Sequence, residues 1–212
     1  MKRWILASLL GLHTLGFAGG LTGKPIAPSC DSLKLVLDAS LSLEVMAQEW
    51  GSGESRSTTP AVLELHGCNG ELLDRMILAA PLARLDPSPL RGTHVPTYLV
   101  TVDLTAPIGS YSGPLSMPIQ LVKHKLKRAK ATNSNGRLEE INLALTGKAA
   151  WKKTTVNAVD DFIAVRCQAK GEGFVISYSR FHPTFRGWQV RVRSEVGFWE
   201  SEAEFPDLQH FP

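Results

Sequence analysis

The chain has 212 residues, of which 43% are hydrophobic and 20% charged, and its formal net charge is +3. This is ordinary globular composition, so intrinsic disorder is not expected. The length allows one domain of moderate size or two small ones. Beyond the N-terminal segment, no stretch is long and apolar enough to span a membrane.

The N-terminus is typical of a secretory signal peptide. A basic pair at residues 2–3 precedes a mostly apolar stretch at 4–15 and a small-x-small cleavage site at 16–18. The apolar stretch is shorter than the roughly 20 residues of a membrane span. We therefore predict a signal peptide at 1–18, with an uncleaved anchor as the alternative. A loose Gly- and Pro-rich leader follows at 19–30, and the mature protein is expected to be secreted or periplasmic.

The three cysteines permit at most one internal disulfide, and an exported protein can form one. The sequence leaves all three pairings open. Cys68 ends one predicted strand and Cys167 lies near the end of another, and strand ends in adjacent sheets meet readily. We therefore predict a Cys68–Cys167 disulfide, with Cys30 left over.

The first part of the mature chain shows the clearest periodicity. Between residues 33 and 45 apolar and polar side chains alternate, with Val36 as the exception, which predicts a long half-buried strand or two strands joined by a bend. Residues 61–67 form a second predicted strand. The segment 71–80 is predicted as a short helix capped by Asn69. The buried face of the first strand is expected to carry Leu33, Leu35, Leu37, Leu41 and Leu43.

The rest of the chain is dominated by short alternating segments with turn residues between them. Residues 105–118 are predicted as a loop, residues 119–131 fit either a strand or a helix, and Asn133–Gly136 is a strong turn signal. Further strands are predicted at 98–104, 139–145, 162–167, 174–181 and 188–198. This spacing favours a mainly β fold, an antiparallel sandwich or barrel-like domain with at most one or two short helices. We assign residues 31–212 to that single domain.

The stretch His66–Gly70 raises the possibility of an enzyme. In α/β-hydrolases a strand followed by a His-Gly turn supplies oxyanion-hole donors. Such a site also needs a G-x-S-x-G elbow, and the nearest string, residues 109–113, has Tyr111 at the nucleophile position. Glu64, His66 and Cys68 share one face of an extended strand, but neighbours on that face stand about 7 Å apart, which is too far for direct hydrogen bonding of the thiol to the imidazole. An exported hydrolase with a site near His66 is therefore kept only as the alternative function.

Charge is strongly segregated along the chain. Residues 19–120 carry six basic and ten acidic side chains, residues 121–193 carry fifteen and five, and residues 194–212 carry none and five. A basic middle segment is thus followed by an acidic C-terminal tail that starts at residue 194. The alternative interpretation is that the acidic tail is an internal counter-charge that folds onto the basic sheet.

The basic segment supplies the candidate binding residues. Cations on several strands, with a tryptophan as a flat apolar contact, attract anionic partners. Lysines on an edge strand also have an ordinary role in preventing strand-to-strand aggregation. The candidate anion- or partner-binding residues are Lys123, Lys125, Lys127, Arg128, Lys130, Lys152, Lys153, Arg191, Arg193 and Trp188.

No catalytic constellation, metal-ligand spacing or cofactor motif stands out in the sequence. We therefore expect a non-enzymatic binding or interaction protein of the cell envelope without a cofactor or metal. Its expected partner is an envelope protein or an anionic glycan or lipid, and nucleic acid is not favoured.

Overall fold

The computed structural model describes residues 34–38, 59–103 and 113–197. This part of the chain contains strands and no helix, which confirms the predicted mainly β class. In chain order the strands are β1 (Lys34–Asp38), β2 (Val62–His66), β3 (Leu72–Ile77), β4 (Ala83–Leu85), β5 (Thr97–Asp103), β6 (Pro114–Val122), β7 (Lys125–Arg128), β8 (Lys130–Thr132), β9 (Leu138–Glu140), β10 (Leu143–Ala144), β11 (Ala149–Val156), β12 (Val159–Lys170), β13 (Gly173–Thr184) and β14 (Gly187–Gly197).

The strands form three sheets. Sheet I has the order β1-β2-β3, sheet II the order β10-β6-β5-β4 with β7 also paired to β6, and sheet III the order β11-β12-β13-β14-β8-β9. All described pairings are antiparallel except that of β14 with β8, which is parallel and brings Trp188 opposite Ala131. This pairing joins β8, which follows β7 in the chain, to β14, the last described strand.

Sheet II lies between the other two sheets and contributes to two hydrophobic clusters. Tyr98, Val100 and Val102 of β5 pack with leucines of β1 and β2. Leu99, on the opposite side of the same strand, packs with Phe162 and other residues of sheet III. Because side chains alternate along a strand, β5 buries one set of residues against each neighbouring sheet. The fold is therefore layered, with a hydrophobic core on each side of sheet II.

The segment 71–80 is not a helix, contrary to the sequence prediction. Residues 72–77 form β3 and pair with β2 across a register shift at Leu65/His66. The apolar residues of this segment fit both a helical repeat and the alternation of a strand, and pairing with β2 favours the strand. Asn69, predicted as a helix cap, lies instead in the turn between the two strands.

The ambiguous segment 119–131 is entirely strand and turn. β6 and β7 form a hairpin that pairs Val122 with Lys125, and the two residues of the turn both have positive φ, 50° for Lys123 and 60° for His124. β6 begins at Pro114, so the predicted loop 105–118 is too long at its C-terminal end. The predicted turn at residues 133–136 is confirmed by hydrogen bonds from Gly136 N to Asn133 O and from Asn133 N to Arg137 O.

The first predicted strand is observed only in part. Leu35 and Leu37 are buried as expected, and Val36 is buried as well. Leu33, Leu41 and Leu43 lie outside the described residues, as do the predicted signal peptide and leader. Across the described ranges, no helix has the length and hydropathy to cross a membrane.

The predicted Cys68–Cys167 disulfide is not formed. Cys167 lies in β12 with its side chain 2% exposed, and it is not disulfide-bonded. Its neighbours are the apolar residues of one face of sheet III, whereas Cys68 lies in the exposed turn after β2 in sheet I. The two strands belong to different layers of the fold, so their ends do not meet.

Candidate anion-binding cleft

The structure separates the predicted cationic residues into groups. Lys127, Arg128 and Lys130 line one cleft. The register of sheet III places Lys152, Arg191 and Arg193 together on one face of that sheet and Lys153 on the other face. Lys123 and Lys125 lie at the β6–β7 hairpin. The predicted cations therefore do not form a single basic face. They are divided between the cleft, the two faces of sheet III and the β6–β7 hairpin.

The cleft lies where edges of the three sheets meet. It has a volume of about 640 Å³ and is lined by β3, β6, β7, β8, β9 and the β13–β14 turn. Four of its side chains are cationic and one is acidic, so the lining has a net charge of +3 at neutral pH. The lining residues are Met76, Ile77, Gln120, Lys127, Arg128, Lys130, Glu140, Arg186 and Gly187.

The single carboxylate of the cleft pairs with one of its cations. Arg128 Nη1 lies 3.4 Å from Glu140 Oε2, and both side chains are partly exposed. The parallel pairing of β8 with β14 and the antiparallel pairing of β8 with β9 bring Lys130 opposite Glu140. Glu140 thus reduces the field of two cations, while Lys127 and Arg186 make no ion pair among the described residues. These last two cations are available to an anion.

Arg186 enters the cleft because of the tight turn between β13 and β14. Thr184 pairs with Gly187, so the two turn residues are Phe185 and Arg186. The Thr184 hydroxyl donates to Gly187 O at 2.7 Å and accepts from the Arg186 N–H at 3.2 Å, which fixes the turn. Gly187 has a φ of +115°, a conformation that a side chain at this position would make unfavourable.

The rim of the cleft is apolar as well as cationic. Ile77 is 65% exposed in the lining, and Phe185, next to Arg186, is 77% exposed. The Arg186 guanidinium lies 5.1 Å from the centroid of the Phe185 ring, which is within cation–π range. A ligand at this cleft would therefore meet apolar surface beside the positive charge.

Lys125 is neutralised by the neighbouring sheet. Its Nζ lies 3.1 Å from Asp74 Oδ1, and the same carboxylate accepts a hydrogen bond from the Leu126 N–H. The backbone hydrogen bond from Leu126 holds the pKa of Asp74 below its usual range, and Lys125 adds to that effect. Lys125 thus has a structural partner in sheet I, which reduces its value as a ligand contact.

Trp188 is not available on the surface, and the prediction of an exposed flat contact is wrong. The side chain is 2% exposed and stacks on Phe162, with ring centroids 5.4 Å apart and planes 13° apart. The pairing of β14 with β8 buries Trp188 between sheets II and III. The exposed aromatic ring near the cations is Phe185, which the sequence analysis did not select.

The adjacent carboxylates Asp160 and Asp161 point to opposite faces of β12, as expected for a strand. Asp161 binds Arg180 and His182, with 2.6 Å from Oδ2 to Arg180 Nη2 and from Oδ1 to His182 Nδ1. Asp160 accepts from the Arg91 N–H at 2.9 Å and the Thr155 hydroxyl at 2.6 Å. Burial raises the pKa of Asp160, but these hydrogen bonds and the Arg91 charge outweigh burial, so the pKa is lowered overall. Each carboxylate is used in a separate ion pair, and the two do not form an acid–base dyad.

His66 is held by hydrogen bonds to its own strand and to the turn that follows it. Its Nδ1 lies 3.1 Å from Gly70 O and its Nε2 lies 2.9 Å from Glu64 Oε2. Both partners are acceptors, so the protonated ring can donate to both, and these contacts raise the pKa of His66. Both ring nitrogens are thus held by partners in β2 and in the turn that follows it.

Three backbone donors of the turn after His66 are used within the turn. The Gly67 N–H donates to Glu71 O at 2.9 Å, the Gly70 N–H donates to Gly67 O at 3.0 Å, and the Asn69 N–H donates to Glu71 Oε2 at 3.1 Å. These donors already have acceptors within the turn. The turn between β2 and β3 thus uses these donors in its own hydrogen bonds.

Comparison with protein-family models, curated proteins and solved structures finds no match to this chain. The assignment of the cleft as a candidate binding site therefore rests on its geometry alone. The sequence identified three of its cations through the run at residues 123–130 but missed Arg186 and Ile77. Both come from other sheets, and no sequence signal placed them beside β7.

Proposed function

We propose that the protein is a non-enzymatic binding protein of the cell envelope that holds an anionic ligand in the cleft between β7, β8 and the β13–β14 turn. The observation that carries the proposal is the convergence of Lys127, Arg128, Lys130 and Arg186 on one concave surface with a single carboxylate. Export, and with it the envelope location, rests on the N-terminal signal pattern.

The chemistry of the cleft favours an anion that carries several charges. Arg128 and Arg186 offer planar donor pairs suited to carboxylate, sulfate or phosphate oxygens, while Lys127 and Lys130 add point charges. Concave surfaces lined by one sign of charge concentrate the field and speed the arrival of an oppositely charged ligand. The apolar rim at Ile77 and Phe185 supports a ligand with apolar groups next to its charges, such as an anionic glycan or lipid.

The competing interpretation is that these lysines only protect a sheet edge. β7 pairs with β6 and has no second strand partner among the described residues, and edge lysines oppose aggregation. Edge protection requires charge at β7 but gives no reason for Arg186 to face the same cleft from the β13–β14 turn of sheet III. Arg186 therefore distinguishes the two interpretations.

The test compares two variants with the same change in charge. The cleft variant carries Lys127→Glu, Lys130→Glu and Arg186→Glu, and the control variant carries Lys123→Glu, Lys153→Glu and Lys170→Glu at exposed positions outside the cleft. Retention is measured on heparin-agarose and on vesicles containing phosphatidylglycerol across a salt series, with circular dichroism as the folding control. Exposed charges are screened over about 8 Å at physiological ionic strength, so retention should fall steeply with salt.

We expect the cleft variant to lose most of its retention and the control variant to keep it. Equal loss in both variants would show that only total charge matters, and the cleft would have no specific role. Absence of salt-sensitive retention on either probe by the unaltered protein would contradict the proposal. Comparison of the two probes separates a glycan from a lipid as the source of the anion.

A further inference from the structure

The face of sheet III that points away from sheet II carries a buried apolar strip with no described partner sheet. We call it the outer face; the register places on it alternate residues of β11 to β14. Its cluster consists only of side chains from three adjacent strands, and all six are between 1% and 6% exposed. They are Ala150, Ile163, Val165, Cys167, Ile176 and Tyr178.

Side chains on one face of a sheet project in the same direction, so burial to this degree points to chain that lies over that face. The opposite face of β12 and β13 is occupied by the second core, which includes Phe162 and Phe181. Sheets I and II are therefore on the wrong side to cover the outer face. The cover must come from chain that is not among the described strands.

The outer face is also positively charged around its apolar strip. Arg180 and Arg191 lie directly opposite each other on β13 and β14, an arrangement that like charges disfavour unless anions are near. Asp161 pairs with Arg180, and Glu195 pairs with Arg193 at 2.9 Å. The face carries four cations and two carboxylates; the cations are Lys152, Arg180, Arg191 and Arg193.

The chain leaves sheet III beside this strip. Gly197 is the last residue of β14, and a Cβ built on it would lie 3.8 Å from Ile176 Cδ1. The fifteen residues that follow, 198–212, contain four acidic and no basic side chains, together with three phenylalanines and one tryptophan. Extended chain spans about 3.3 Å per residue, so these residues can run the length of the 12-residue strands of sheet III.

We infer that residues 198–212 cover the outer face, with their aromatic side chains on the apolar strip and their carboxylates near the surrounding cations. The occupant is this chain's own C-terminal segment, because it begins at the strip and has the complementary charge and apolar content. This inference does not depend on the proposed ligand cleft, which opens elsewhere. It removes Lys152, Arg191 and Arg193 from the ligand-binding surface.

Cys167 provides a direct probe, because its sulfur lies within the strip at 2% exposure. The experiment measures the rate of maleimide labelling of Cys167 in the full chain and in a variant that ends at Gly197. Cys167→Ser in each background gives the rate from the other two cysteines. Removal of the cover should raise the labelling rate of Cys167 by about tenfold or more. A synthetic peptide of residues 198–212 should restore slow labelling, and the same peptide with its acidic residues changed to amides should be less effective.

A second variant keeps the test decisive if the shortened chain does not fold. Glu200→Gln, Glu202→Gln, Glu204→Gln and Asp207→Asn in the full chain should speed Cys167 labelling, and Glu139→Gln with Glu172→Gln should not. Both control positions are exposed and lie before residue 198. Unchanged labelling in a folded chain ending at Gly197, or in the folded amide variant if the shortened chain is unfolded, would overturn the inference and assign the cover to another segment.

Discussion

Asp74 of β3 accepts a hydrogen bond from the backbone N–H of Leu126 in β7, with 2.7 Å between Oδ2 and the nitrogen. The second carboxylate oxygen lies 3.1 Å from Lys125 Nζ. One side chain of sheet I therefore binds both the backbone and a cation of sheet II. The contact fixes the position of β7, and hence of Lys127 at the cleft.

The lowered pKa of Asp74 makes this contact sensitive to acid. Because the pKa in the folded state lies below the ordinary value of 3.8, the contact stabilises the fold above that pH. The stabilisation is lost as the pH falls through the lowered value. Asp74→Ala should cost about 1–3 kcal/mol near pH 7 and should weaken the acid dependence of the unfolding free energy. Asp38→Ala, at an exposed position in β1, is the control. Equal costs for the two changes would contradict this role of Asp74.

The raised pKa of His66 predicts a pH dependence of opposite sign. The contacts with Gly70 and Glu64 stabilise the charged ring fully below the ordinary value of 6.5. This stabilisation is lost as the pH rises through the raised value in the folded protein. His66→Gln should flatten the unfolding free energy over that pH range, while His94→Gln, at an exposed position, should leave it unchanged. A flat profile in the unaltered protein would rule out this linkage.

The β1–β2 register suggests the disulfide that replaces the predicted one. Paired residues in these strands have numbers that sum to 100, as for Lys34 and His66. The residue numbers 30 and 68 sum to 98, close to 100. Cys30 precedes β1 and Cys68 follows β2, so in sequence both flank the same end of this antiparallel pair. With Cys167 buried in another sheet, we predict a Cys30–Cys68 disulfide in the exported protein. The chain-entropy model gives it about 4 kcal/mol of stabilisation.

Non-reducing peptide mapping checks this pairing. A fragment that joins the Cys30 and Cys68 peptides is the expected result. A fragment that contains Cys167 would contradict the buried thiol seen in β12. Three unmodified thiols in protein recovered from an oxidising compartment would contradict both the pairing and the predicted export.

The β6–β7 turn predicts a stabilising substitution. Lys123 and His124 both have left-handed backbone conformations, which cost side-chain-bearing residues about 1 kcal/mol or more each. Lys123→Asn with His124→Gly suits this two-residue hairpin turn and should stabilise the protein by about 1 kcal/mol. Gly136→Ala is the matched converse, since Gly136 has a φ of +76° and open space around it, and it should destabilise the protein by a similar amount. Thermal and denaturant melts measure both effects, and an unchanged stability in either variant would show that the turn conformation is not limiting.

Alternation was sufficient to predict the class of fold and several individual strands. Leu35 and Leu37 of β1 and alternate residues of β14 follow the sequence pattern closely, because one face of each strand is turned to a core, whereas β12 and β13 were found from their apolar content and carry buried residues on both faces. β3 was missed because its apolar residues also fit a helical repeat. Only its pairing with β2 and the contact of Asp74 with β7 favour the strand, and both partners are distant in sequence.

The candidate cleft was predictable only in its local part. The run at residues 123–130 marked Lys127, Arg128 and Lys130, but their relation to Arg186 depends on the parallel pairing of β14 with β8. No local pattern specifies that pairing. The same pairing buried Trp188, which is why a tryptophan chosen from sequence proved to be core and a phenylalanine in a turn proved to be surface.

The burial of β5 on both faces limits the amino-acid substitutions that this strand can tolerate. Most strands of this fold should tolerate polar substitution at every second position, and a saturation-mutagenesis profile along β14 should show that period. β5 has Leu99 directed to one core and Tyr98 and Val100 to the other. Its substitution profile should therefore have no period of two, and drift in this strand should be confined to residues of similar size and polarity.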